Sequence, residues 1–125
     1  MNADRINAIT KVVIGRAFVV SNTLGCGFLE KIYERALASE IREAGLSVRQ
    51  QHDINVYYKD AVIGTYTADL FVEESVLVEL KAVKTFDPVH EAQCMNYLKA
   101  SRLPLCLLLN FGNPRVEIKR IANGI

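Results

Sequence analysis

The amino-acid sequence predicts an α/β fold, or α+β in some classification schemes, with a mixed central β-sheet flanked by helices. Two observations support this prediction. Apolar residues recur at helical spacing over the first third of the chain, and β-branched and aromatic runs, interrupted by one further helical segment, dominate the rest. The predicted element order is therefore ααβββαββ. With 125 residues, half of them hydrophobic, the chain can bury its own core, so we expect one domain spanning residues 1–125.

Two amphipathic helices are predicted first. Between Ala3 and about Ser21, apolar side chains recur every three or four residues, which places them on one helical face. A second helix is predicted from Phe28 to Ala44, with Gly45 as its left-handed cap. The side chains expected to face inward from this helix are Leu29, Ile32, Ala36, Leu37 and Ile41.

Three strands are predicted next. A short strand from Ile54 to Tyr58 is turned at Lys59-Asp60 into a longer strand that ends at Val72. The acidic break Glu73-Glu74-Ser75 then leads into a third strand, from Val76 to Val83.

The last part of the chain is predicted to hold a helix and two strands. Asp87 can cap a helix that begins at Pro88 and runs to about Ser101. The unbroken apolar run from Leu105 to Phe111 is typical of a strand buried on both faces. A final strand is predicted from Val116 to Ile121.

The hairpin around Glu74 is predicted to bring two carboxylates and an amine together. If the loop is residues 73–75, Asp69 faces Glu79 across the strands, and Lys81 shares a face with Glu79. Like charges at opposed positions are destabilising, so the pair needs a proton or a cation between them. The alternative is a solvated sheet face on which Lys81 simply neutralises ordinary cross-strand charges.

Composition excludes several classes of protein. The net charge of +1 gives no general attraction to a polyanion, so a nucleic-acid site would need a local patch or a bound metal. The apolar runs are too short to span a membrane, and we expect a cytoplasmic protein. The cysteines Cys26, Cys94 and Cys106 form no C-x-x-C motif, and we expect them to be buried and reduced.

Several motifs in order resemble a known family. Asp69 followed by Glu79-Leu80-Lys81, with Glu30 on the preceding helix and Gln93 on the next one, resembles the PD-(D/E)XK nuclease superfamily with its restriction-endonuclease-like core. More narrowly, residues 27–33 read G-x-x-E-x-x-Y, the signature of the small bacterial GxxExxY proteins. The other segments that match this pattern are Leu24-Gly25, Tyr58, Asp69-Leu70, Val78 to Val83, Asn96 to Lys99 and Asn110-Phe111-Gly112.

The resemblance implies a metal-dependent site that hydrolyses phosphodiester bonds of DNA, or of RNA, by attack of a metal-activated water. It implies Mg²⁺ or Mn²⁺ held by Asp69, Glu79 and the Leu80 carbonyl, with Glu30 as a candidate additional ligand. Lys81 would act as the base or stabilise charge, and Glu30 and Gln93 would complete the set of candidate catalytic residues. Competing hypotheses are a catalytically silent nucleic-acid-binding or protein-interaction module on the same fold, and a subunit of a larger complex. A homodimer is also compatible with the sequence.

Individual residues have simpler interpretations that remain open. Glu30 could serve only the dipole of its helix, and Gln93 could be an interior amide bonded to backbone. Tyr33 and Tyr97 are expected to be core aromatics with hydrated hydroxyl groups. His52 and His90 lack partners at metal-ligand spacing and are expected to be exposed.

Overall fold

The order of helices and strands is as predicted. The structure, a computed structural model, describes residues 2–124. Its elements are α1 (Ala3–Leu24), α2 (Glu30–Glu43), β1 (Val48–Tyr58), β2 (Ala61–Val72), β3 (Val76–Lys81), α3 (Pro88–Ser101), β4 (Leu105–Asn110) and β5 (Glu117–Ala122). Within the described residues, no helix is long and apolar enough to cross a bilayer.

The five strands form one mixed sheet in the order β1-β2-β3-β4-β5. Strands β3 and β4 are parallel because α3 carries the chain back between them, and the other neighbours are antiparallel. This arrangement confirms the predicted mixed sheet flanked by helices.

Two hydrophobic cores lie on opposite faces of the sheet. Helices α1 and α2 cover one face, to which β3 contributes Val76, Val78 and Leu80. Helix α3 covers the other face, where Leu77 packs with Tyr97. Strands β3 and β4 are therefore buried on both sides, which is why their sequences read as continuous apolar runs.

The inward face predicted for α2 is partly wrong. Leu29 and Ile32 are 76% and 41% exposed, and the buried residues of the helix are Tyr33, Glu34, Leu37, Ala38 and Ile41. The helix begins at Glu30, and its orientation places the fully buried Tyr33 ring against Phe111, at 4.8 Å between ring centroids. This contact turns Ile32 toward solvent.

Strand β1 begins at Val48, earlier than the predicted start at Ile54. The polar run from Arg49 to Asp53 concealed it, because β1 is an edge strand and polar side chains there can remain in contact with water. The histidine and cysteine expectations also need correction. His52 is half-buried and stacks on Phe71, His90 is half-buried and accepts a hydrogen bond in the cap of α3, and Cys26 is exposed.

Strands β1 and β2 extend as a two-stranded arm, residues 52–68. They pair along their whole length, whereas β3 pairs with β2 only from Leu70 to Val72. The base of the arm packs on α3 through Ile54, Tyr66 and Ala68. The arm therefore projects past the end of β3.

Candidate active site

The site forms where β2 separates from β3. Their ladder runs from Val72–Val76 to Leu70–Val78, as predicted from the loop at residues 73–75. Beyond Leu70 and Val78, hydrogen bonds between backbone N–H groups and side-chain carboxylates join the two strands in place of backbone–backbone bonds. The Asp69 N–H donates to Glu79 Oε1 at 3.3 Å, and the Leu80 N–H donates to Asp69 Oδ2 at 2.8 Å. The two carboxylates thus hold the separating strands together and lie side by side.

Gln51 is the residue of β1 opposite Asp69, and its backbone is irregular. Its φ of 55° lies in the left-handed region, where residues other than glycine are strained. Its side-chain amide donates to Glu34 Oε1 at 2.6 Å and lies 3.3 Å from Asp69 Oδ1. The side-chain alternation of β1 changes at this position. Val48 packs toward α1 and α2, whereas Ile54, an even number of residues later, packs toward α3 on the other face of the sheet. Because of this irregular conformation, the Gln51 side chain links Glu34 on α2 with Asp69 of the carboxylate pair.

Glu34 is a buried carboxylate that the sequence analysis missed. It is 3% exposed and accepts hydrogen bonds from Gln50 and Gln51, and its ion pair with Lys31 spans 3.2 Å. Its spacing to Leu37, Ala38 and Ile41 could have identified its position on the buried face. No sequence signal marks Gln51, because its contacts depend on how α2 packs against β1.

Lys81 and Tyr97 both approach Glu79. Lys81 Nζ lies 3.5 Å from Glu79 Oε2, and the side chains of Lys81 and Glu79 are only 17% and 6% exposed. The Tyr97 hydroxyl lies 3.3 Å from the same oxygen and 3.3 Å from the Thr67 carbonyl oxygen. Because Tyr97 is 2% exposed, this hydroxyl is bonded to protein rather than hydrated as the sequence suggested.

Burial and mutual repulsion raise the pKa values of Asp69 and Glu79. Burial, followed by the charge of Asp69, raises the pKa of Glu79 to about 7, although Lys81 opposes the shift. Burial also raises the pKa of Asp69, and the charges of Glu34 and Glu30 add to this effect. The hydrogen bonds from Leu80 and Gln51 counteract it in part. A cation placed at the pair would reverse these shifts.

The stability of the metal-free protein is expected to fall as pH rises through about 7. The pKa of Glu79 is higher in the folded state than its ordinary value of 4.5, so the folded state binds more protons between these values, and unfolding becomes easier as the proton is lost. The contribution is at most about 3–4 kcal/mol, since the pKa rises from 4.5 to about 7 and one pKa unit corresponds to about 1.4 kcal/mol. Urea unfolding in chelator at pH 5 and pH 8 measures it. Glu79→Gln should remove most of this dependence, and an unchanged dependence would contradict the assignment.

The other predicted site residues take different positions. Glu30 is exposed in the first turn of α2, and its negative charge contributes to the raised pKa of Asp69. Leu80 is buried between Glu79 and Lys81, with its N–H on Asp69. Gln93 is half-buried on α3, one turn before Tyr97, and its side chain makes no hydrogen bond within residues 2–124. The structure therefore brings Asp69, Glu79 and Lys81 together, with Glu30 nearby and Gln93 apart from their hydrogen bonds.

The donor set fits a hydrated divalent cation. Two adjacent carboxylates with raised pKa values supply hard oxygen ligands and gain from a positive charge between them. Among the described residues, no three His, Cys, Asp or Glu side chains are grouped to enclose a metal ion. An ion here would therefore keep several waters, as Mg²⁺ does in sites that leave room for a phosphate.

Two motifs outside the carboxylate cluster have structural roles. The Tyr33 hydroxyl donates to the Gly25 carbonyl at 2.7 Å and lies 3.3 Å from the Phe28 nitrogen, so it fixes the loop before α2. The fully buried Asn110 side chain bonds both the N–H and the carbonyl of Val83, at 3.0 and 2.8 Å. These contacts position the segments that carry Glu30 and Lys81.

A mixed sheet with helices on both faces and an Asp/Glu/Lys cluster at a strand separation define a restriction-endonuclease-like protein. Comparison with protein families supports this class. The family model described as the PD-(D/E)XK nuclease superfamily matches residues 7–121. The chain therefore belongs to the PD-(D/E)XK nuclease superfamily, in which the nucleases generally use divalent metal ions.

Solved structures share the fold at low sequence identity. The crystal structure of SSO0001 is similar with a TM-score of 0.56 and 15% identity over 76% of this chain, and this chain spans 50% of that one. An alkaline exonuclease (LHK-Exo) from Laribacter hongkongensis is similar with a TM-score of 0.55 and 16% identity, over 98% of this chain and 71% of that one. No curated protein matches the chain.

Proposed function

We propose that this chain is a divalent-metal-dependent nuclease that hydrolyses phosphodiester bonds of DNA, with RNA as the alternative substrate. The observation that carries the proposal is the pairing of Asp69 and Glu79, with Lys81 at 3.5 Å from Glu79, at the separation of β2 and β3. Membership of the nuclease superfamily supports the reaction class. We further propose that residues 1–125 act as one domain.

Asp69, Glu79 and the Leu80 carbonyl are the groups that would hold Mg²⁺ or Mn²⁺, with Glu30 as a candidate additional ligand. When bound there, the ion would lower the pKa of a coordinated water and offset negative charge on the phosphate. The hydrogen bond from the Leu80 N–H keeps Asp69 Oδ2 in place, which limits the reorganisation needed on binding.

Lys81 is the group proposed to orient the attacking water or to stabilise charge that develops on the phosphate. Its low exposure strengthens the electrostatic effect of its ammonium group. The Tyr97 hydroxyl can donate to Glu79 when that carboxylate is charged and to the Thr67 carbonyl when it is protonated. Tyr97 therefore positions Glu79 in both protonation states.

The narrower assignment to the GxxExxY proteins belongs to this proposal. It is supported by the structural roles of Tyr33 in the signature and of Asn110 in the Asn110-Phe111-Gly112 segment. A homodimer, or a complex in which a partner supplies specificity, is part of the same proposal.

Calorimetric titration with Mg²⁺ and Mn²⁺, paired with cleavage assays on single-stranded DNA, duplex DNA and RNA, tests the function. Wild type is expected to bind metal and cleave at least one substrate. At pH below 7 the affinity should fall by up to about tenfold per pH unit, because metal competes with the proton on Glu79.

Asp69→Asn is expected to abolish the metal heat, and Asp4→Asn is the matched control because Asp4 is exposed at the start of α1, away from the site. Absence of both metal heat and cleavage in wild type would overturn the proposal in favour of a binding module. Cleavage that persists in chelator would overturn the metal dependence alone.

A further inference from the structure

The groove between the arm and α3 has the chemistry of a nucleic-acid contact. It has a volume of about 380 Å³, and Tyr57 and Tyr66 line it from the arm, with Asn96, Lys99 and Arg102 on the α3 side. None of the described residues that line it is acidic, whereas the whole chain is nearly neutral. The groove therefore concentrates positive charge beside aromatic rings, a combination typical of surfaces that bind single strands.

The groove lies next to the candidate active site. The Tyr66 ring lies 5.4 Å from the Tyr97 ring, centroid to centroid. The hydroxyl of Tyr97 in turn lies 3.3 Å from Glu79 Oε2. A strand in the groove would therefore lie beside Tyr66, one buried tyrosine ring away from the carboxylate pair.

We propose that this groove binds an unpaired nucleic-acid strand, with a base stacked on Tyr57 and phosphates at Lys99 and Arg102, and guides it to Glu79. The inference rests on the proposed nuclease function and names the form of its substrate. An unpaired strand is favoured because bases in a duplex have their faces covered by neighbouring bases, so they cannot stack on a tyrosine ring. Tyr57 is 62% exposed, so its ring has room for a base.

The chain offers matched controls for both kinds of contact. Tyr58 is 61% exposed beside Tyr57, and neighbouring residues on a strand point to opposite faces, so Tyr58 does not line the groove. Lys11 is an exposed lysine on α1, which packs on the opposite face of the sheet from α3. Substitutions of Tyr58 and Lys11 therefore remove an exposed tyrosine ring or a positive charge outside the groove.

Binding of a fluorescein-labelled thymidine oligonucleotide of about 12 residues, a length typical of single-strand sites, is measured by fluorescence anisotropy in chelator. Tyr57→Ala is expected to weaken binding by about tenfold or more, and Tyr58→Ala by less than about twofold. Lys99→Gln and Arg102→Gln should each lower the slope of log affinity against log salt by about 0.7, whereas Lys11→Gln leaves it unchanged.

Equal effects of Tyr57→Ala and Tyr58→Ala, or competition by a blunt duplex as strong as by the single strand, would overturn the inference. A dimer of this chain that Tyr57→Ala dissociates would also overturn it and assign the groove to a second copy. Because binding is measured without metal, the two proposals fail separately. If the protein cleaves its substrate but binding does not depend on Tyr57, only the proposal that the groove binds the strand is refuted. If binding depends on Tyr57 but no substrate is cleaved, only the proposed nuclease function is refuted.

Discussion

Asp69→Asn, Glu79→Gln and Lys81→Ala are each expected to reduce cleavage by roughly 10²- to 10³-fold or more, the usual range when a group that stabilises transition-state charge is removed. Asp69 and Glu79 should act through metal binding, so their variants lose the calorimetric heat as well. Lys81→Ala should keep that heat, because removing a nearby cation leaves the carboxylate pair more attractive to a metal ion. Initial cleavage rates with metal titrated to saturation separate the two kinds of defect.

The Asp69→Asn and Glu79→Gln variants should remain folded. Asn and Gln keep an acceptor for the N–H groups of Leu80 and Asp69 and remove one of two repelling charges. Unfolding midpoints close to wild type would therefore accompany the loss of activity. Cleavage at the wild-type rate by any one of the three variants would refute the role proposed for that residue.

Asn110→Ala is expected to lower the free energy of unfolding by roughly 2–4 kcal/mol, the largest stability effect predicted for a polar side chain in this chain. The substitution removes the fully buried partner of both backbone groups of the half-buried Val83, and each group left unpaired away from water costs about 1–3 kcal/mol. It also removes a hydrogen bond to Gly112 N–H at 2.9 Å. Chemical unfolding at pH 8 measures the difference.

Asn113→Ala is the control for this effect. The Asn113 side chain bonds the Lys84 carbonyl and Glu117, but from a position that water can reach, so its loss should cost less than about 1 kcal/mol. If both asparagine variants lost the same stability, the buried role of Asn110 would be refuted.

Much of the fold was predictable because its signals are local. The loop at residues 73–75 set the register that places Asp69 beside Glu79, and Asp87-Pro88 defined the start of α3. Strand β4 was recognisable because both of its faces are buried. Each of these features depends on neighbouring residues in the sequence.

The remainder of the site depends on contacts between distant segments. Gln51 adopts a left-handed conformation without being Gly, Asn or Asp, so no local rule marks it. The position of Glu34 beside it follows from the rotation of α2 that the Tyr33–Phe111 contact sets. The catalytic roles of Asp69, Glu79, Lys81, Glu30 and Gln93 all remain predictions, and Gln93 takes no part in the hydrogen bonds of the carboxylate pair.

The three cysteines differ in exposure, so the rates at which they are chemically modified can measure local unfolding. Cys26 is exposed, whereas Cys94 on α3 and Cys106 on β4 are both fully buried in the core under α3. The hydrogen bond with the Cys94 side chain, followed by burial, also raises the pKa of the Cys106 thiol, which keeps it protonated and unreactive. An alkylating reagent therefore reaches the first sulfur immediately and the other two only when α3 lifts from the sheet, so the rate of the slow modification measures that local unfolding.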